Sequence, residues 1–169
     1  DCKLAAAVPT GTLFVAGDTI KITANVADDI FAAGREVTLD GARASTLVAG
    51  AGRLLIRNST IHDLIAGGLD IEVHGTIEDD AVIAVCPMCW WAPRRILIGK
   101  DARIGDDARF FADTIEIEGT VGRELHATAR RIVISGSITG KADIKAKEIV
   151  NASIAKLGGE VIFRSPSKP

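Results

Sequence analysis

Apolar residues recur along this chain with a period of seventeen. Ile20, Val37, Leu54 and Ile71 form one row, and Ile22, Leu39, Ile56 and Val73 keep the same spacing two residues later. That two-residue offset is the alternation of a strand with one buried face. Small residues follow the same beat: Ala16, Ala33, Gly50 and Gly67 in one row, Gly17, Gly34, Ala51 and Gly68 in the next. Past an interruption the rows resume at Ile115, Ile132 and Ile149, accompanied by Ile117 and Ile134. A short fixed period with apolar rows is the mark of a solenoid, whose units bury their faces only by stacking on neighbours. Seventeen residues are too few for a strand, a helix and two connections, but suit three short strands joined by tight bends. The pattern predicts an all-β, single-domain parallel β-helix.

Within a coil the inward positions can be written out. Ile30 and Ala32 are followed by Val37 and Leu39 and then by Ala44; the next coil repeats this as Leu47 and Ala49, Leu54 and Ile56, and Ile61. A later coil gives Leu125 and Ala127, Ile132 and Ile134, and Ile138. Bends are expected at Asp40-Gly41, His74-Gly75, Glu118-Gly119 and Ser135-Gly136, where glycine beside a polar residue permits the turn. Eight or nine coils at about 4.8 Å per strand layer give a rod of about 40 Å. Residues 11–163 form the predicted solenoid, residues 1–10 a cap or tail that contains Pro9, and residues 164–169 a tail whose prolines cannot donate ladder bonds.

Composition refines this. Five Phe, two Trp and no Tyr among 169 residues suit narrow coils filled with Ile, Val, Leu and Ala. A net charge of -2 with both signs interspersed argues against an electrostatic nucleic-acid binder, which concentrates Lys and Arg on one face. No apolar run approaches the length of a membrane span. The start at Asp1 rather than Met fits a processed, exported chain.

The stretch Asp29 to Gly41, reading Asp-Ile-Phe-Ala-Ala-Gly-Arg-Glu-Val-Thr-Leu-Asp-Gly, resembles coils of the bactofilin group of bacterial polymer-forming cytoskeletal proteins. The segment Ala155 to Pro166 is similar to the last coil of membrane-linked, exported relatives of that group. The resemblance implies a right-handed β-helix, a non-enzymatic scaffold role, and end-to-end or lateral self-association.

The chain departs from that pattern at one place. Ile71 to Ile96 spans eight residues more than the beat and Ile96 to Ile115 two more, so ten residues have been added. The segment 86–95, Cys-Pro-Met-Cys-Trp-Trp-Ala-Pro-Arg-Arg, is ten residues long and is read as the inserted loop. Loops carry recognition where scaffolds carry stability. Cys86 and Cys89 admit three chemistries: a disulfide, favoured in an oxidising compartment; half of a zinc site, which needs further ligands from Cys2, a His or a second subunit; or free thiols. Trp90, Trp91, Arg94 and Arg95 are the residue types that anchor protein interfaces.

A further row, Phe14, Phe31, Val48, Ile65 and Val82, falls on the outward phase of the alternation, and its continuation is Arg109, His126 and Asp143. The first half of the rod therefore carries an apolar outer stripe, which either marks contact with protein or membrane or is covered within the chain by Trp90 and Trp91 of the loop folding back. Enzyme readings are weaker. Two hexapeptide-like units, residues 98–103 and 104–109, are too few for an acyltransferase-type coil. His62, His74 and His126 occupy different places in the coil. The pairs Asp28-Asp29, Asp79-Asp80 and Asp106-Asp107 recur at coil junctions as turn formers rather than as facing carboxylates. The expectation is a non-enzymatic scaffold of the bacterial cell envelope, extracytoplasmic rather than on the cytoplasmic face. It self-associates or docks through the stripe and the Cys/Trp loop, with no cofactor, no nucleic acid and no small-molecule substrate. The alternative is a non-polymerising accessory subunit of a membrane-associated complex.

Overall fold

The computed structural model describes residues 2–4, 11–86, 94–151 and 156–164. Among them there is no helix, and the chain winds into a parallel β-solenoid of about 8 turns with coils about 17 residues apart. Every strand pair in the described residues is parallel. Three sides make up a coil. The strand Leu13–Ile22 supplies the first side with Leu13 to Gly17 and the second with Thr19 to Ile22. The third side is made of short pieces such as Arg103–Ile104, Thr120–Val121 and Ser137–Ile138. The strand Cys2–Leu4 stacks on Ile20, Lys21 and Ile22, so residues of the segment 1–10 add a layer to the second side.

The register explains the rows. Ile20 pairs with Val37, Val37 with Leu54, Ile71 with Ile96, Ile96 with Ile115 and Ile115 with Ile132. Each of those side chains is buried, as are the third-side residues Ile61, Ile77, Ile104, Val121 and Ile138. Burying one such side chain is worth about 1.5–3 kcal/mol, and the ladder repeats it in every layer. β-branched residues dominate because they fit the pleated, stacked surface.

The corners are built from residues that tolerate close approach or a left-handed backbone. Gly41 has φ 73° and Asn58, seventeen residues on, has φ 50°. Asn is the residue type besides glycine that most readily adopts this conformation, and Asn58 Nδ2 also donates to Asp40 at 3.1 Å. Next to it Ser59 is buried, and its hydroxyl accepts the Ala42 N–H and donates to the Arg57 carbonyl. Among the described residues no buried side-chain nitrogen or oxygen lacks a hydrogen-bond partner.

The interruption divides differently from the sequence expectation. Gly68 pairs with Val85 and Asp70 with Arg95, so the eight extra residues lie at the corner between first and second sides. Arg95 itself belongs to the strand Arg95–Ile98 and stands in the ladder, not in an insertion. The remaining two extra residues enlarge the next bend, because Val73 pairs with Ile98 but Ile77 pairs with Ile104. Ala142 to Val161 is again a coil of nineteen residues.

Candidate functional site

The first side presents two outward rows. Phe14 pairs with Phe31 and Phe31 with Val48; Ile65 pairs with Val82 and Val82 with Arg109. Phe14 is 74% exposed and Ile65 50%, whereas Val48 is only partly so. The Phe14 and Phe31 rings stack with centroids 4.9 Å apart and planes 11° from parallel. Offset stacking of this kind favours a rigid apolar surface over two freely rotating rings. The expected stripe thus runs over the first five coils and ends where Arg109, His126 and Asp143 take its place.

Beside it lies the small-residue row Ala16, Ala33, Gly50, Gly67 and Ala84, which closes on Phe111, 45% exposed. The combination leaves a shallow groove of about 480 Å³ lined by Phe14, Ala16, Phe31, Ala33, Val48 and Gly50 among others. Phe111 falls outside the expected stripe. The ten added residues displace it from a simple seventeen-residue count, and only the strand register places it opposite Ala84.

One margin of this face is acidic. The residues just before each first-side strand include Asp29, Asp63, Asp80 and Asp107, and each carboxylate accepts a backbone N–H from the coil that follows. Asp29 takes Thr46 at 3.2 Å, Asp63 takes Asp80 at 3.4 Å, Asp80 takes Asp107 at 3.1 Å and Asp107 takes Glu124 at 3.2 Å. The ladder is turn chemistry repeated coil after coil. Arg123 bridges Asp106 and Asp107 and holds the Asp107 carboxyl below its usual range, while burial pushes that of Asp106 up. Carboxylate oxygens of Asp79, Asp80 and Asp106 lie within 4.8 Å of one another.

The second side and the corner leading into it carry a lattice of ion pairs between coils. Arg35 forks onto Asp18, Arg57 reaches Asp40, and Arg130 forks onto Asp113, each seventeen residues away. Asp18, Asp40 and Asp113 are held below the ordinary carboxylate range by these hydrogen bonds, with Asn58 the largest contributor at Asp40. Arg94 and Arg95, expected as contact anchors, are engaged within the chain. Arg95 bonds Asp70 at 3.2 Å and Glu72 at 2.6 Å, and Arg94 lies 3.4 Å from Asp113.

Cys86 is disulfide-bonded. Its backbone N–H is fixed to the Gly68 carbonyl, and a groove of about 480 Å³ beside it is lined by Ala51, Gly68, Leu69, Ala84, Val85 and Phe111 among others. Cys89, Trp90 and Trp91 lie outside the described residues. The histidines are not brought together: His62 faces Glu78, His74 faces Glu72 and His126 faces Glu124. Comparison of the chain with protein-family models, with curated proteins and with solved structures finds no match.

Proposed function

We propose that this chain is a non-enzymatic scaffold of the bacterial cell envelope that presents its first side as a docking face. The observation that carries the reading is the apolar stripe from Phe14 to Val82, exposed on a rod whose second side is laced with ion pairs. A contiguous apolar surface costs solubility unless something covers it. The disulfide at Cys86 supports an extracytoplasmic site, because such bonds persist in oxidising compartments. The bactofilin resemblance supports self-association. Stacked ends would build a filament and leave every copy's stripe free for docking. The segment 86–95, with Trp90 and Trp91, joins the contact surface on sequence grounds.

The alternative, a non-polymerising accessory subunit of a membrane-associated complex, uses the same stripe and is favoured by its restriction to five coils. Electron microscopy of the purified chain over a concentration series, with and without reductant, separates them. Filaments establish the scaffold, and discrete particles at every concentration select the accessory subunit. Phe31→Ser with Ile65→Ser is expected to abolish docking while leaving the far-ultraviolet circular dichroism unchanged. Docking that survives both substitutions removes the stripe from either reading.

A further inference from the structure

The acidic margin and the apolar stripe meet in a groove of about 360 Å³ lined by Thr46, Asp63, Leu64, Ile65, Asp80 and Val82. Ile65 and Val82 offer an apolar floor, and Asp63 and Asp80 offer carboxylates at its edge. No lysine or arginine nitrogen among the described residues lies within the 4.0 Å of an ion pair from Asp29, Asp63 or Asp80. This contrasts with the second side, where carboxylates at the same spacing are matched by arginines of the neighbouring coil. Asp29, Asp63 and Asp80 each spend one lone pair on a backbone N–H and keep the rest of their acceptor capacity for a cation, whereas Asp107 is already taken by Arg123.

We propose that the stripe seats a protein segment with apolar anchors and a margin of lysines or arginines, whose cations pair with Asp63 and Asp80 and, one strand layer before Thr46, with Asp29. The inference rests on the docking reading above and assigns the chemistry of the occupant. A lysine or arginine stem lies on Ile65 and Val82 while its head reaches the carboxylates, the usual division of such side chains.

Size and charge disfavour the other occupants. Five strand layers of about 4.8 Å and five residues of about 3.3 Å give an apolar face of about 400 Å², half of what one partner contributes to a standard interface. That suits a docked segment better than a second rod. Residues 11–85 hold eleven Asp and Glu against five Lys and Arg, whereas residues 94–164 hold ten against thirteen. Two copies packed stripe on stripe would therefore bring two acidic halves together. An anionic lipid surface meets the same repulsion.

The test uses the full chain and a fluorescently labelled peptide of alternating leucine and lysine, its counterpart with glutamate for lysine, and phosphatidylglycerol vesicles. Anisotropy titrations are expected to show binding of the lysine peptide that weakens as salt rises and no binding of the glutamate peptide. Asp63→Asn with Asp80→Asn keeps the carbonyl that caps the next coil but removes the charge, and should weaken binding about tenfold. Equal affinity for both peptides, or preference for the vesicles, overturns the proposal. Loss of binding in the Phe31→Ser, Ile65→Ser chain together with indifference to the Asn substitutions defeats the charge assignment alone. Indifference to the Ser substitutions defeats the docking face itself.

Discussion

Single residues here are constrained by what stands seventeen positions away. Ser59 is the clearest case, because its hydroxyl is the partner of the Ala42 N–H in the coil before. The Arg57 carbonyl, its other partner, also receives the Gly41 N–H and stays satisfied without it. Ser59→Ala therefore orphans one buried donor and should cost about 1–3 kcal/mol, read as a lower urea midpoint at unchanged slope. Asp107 links stability to pH. Its carboxyl is held down chiefly by the Arg123 hydrogen bonds, so its contribution is complete above the ordinary aspartate value and is lost as pH falls through the lower folded one. Asp106, pushed up by burial, works in the opposite sense and takes its proton first. Asp107→Asn should flatten the acid limb, with a smaller loss of stability below the ordinary aspartate value of about 4 than the unsubstituted chain shows. An unchanged acid limb would mean that the Arg123 pair has no weight in the folded state.

At the scale of strands and corners, the sequence discloses whatever repeats and hides whatever depends on phase. The buried rows through Ile20 and Ile22 were legible because hydrophobic burial obeys the same period in every coil. The outward row of Phe14, Phe31, Val48, Ile65 and Val82 followed from alternation alone, and the register confirms their alignment. The ion pairs of Arg94 and Arg95 escape a seventeen-residue count because their partners, Asp113, Asp70 and Glu72, lie nineteen, twenty-five and twenty-three residues away. Added residues lie between the partners of each pair and shift the count. Phe111 escaped for the same reason. The acid pairs were recognised as turn formers, but their bonding from coil to coil is a property of stacking, which no local motif encodes.

The whole molecule behaves as a one-dimensional stack, so its stability should be modular in units of one coil. Removing residues 31–47 joins Ile30 to Val48 and restores every row: Phe14 then pairs with Val48, Val15 with Ala49 and Ile20 with Leu54. The deletion sacrifices the Arg35–Asp18 and Arg57–Asp40 pairs, which are solvent-exposed and contribute little. Removing residues 31–44 instead puts Phe14 beside Ser45 and throws the buried rows out of phase with their neighbours. The first deletion should give a cooperative fold whose urea slope is smaller by about one-eighth, in proportion to the surface of one coil among about 8. The second should lose cooperativity although it removes fewer residues. Equal damage from both would mean that the coils do not act as interchangeable layers, and that the rod depends on specific contacts within the deleted one. The first deletion also shortens the stripe by one layer and spares Asp63 and Asp80, so a chain that folds but binds the lysine peptide less tightly would separate apolar area from charge at the docking face.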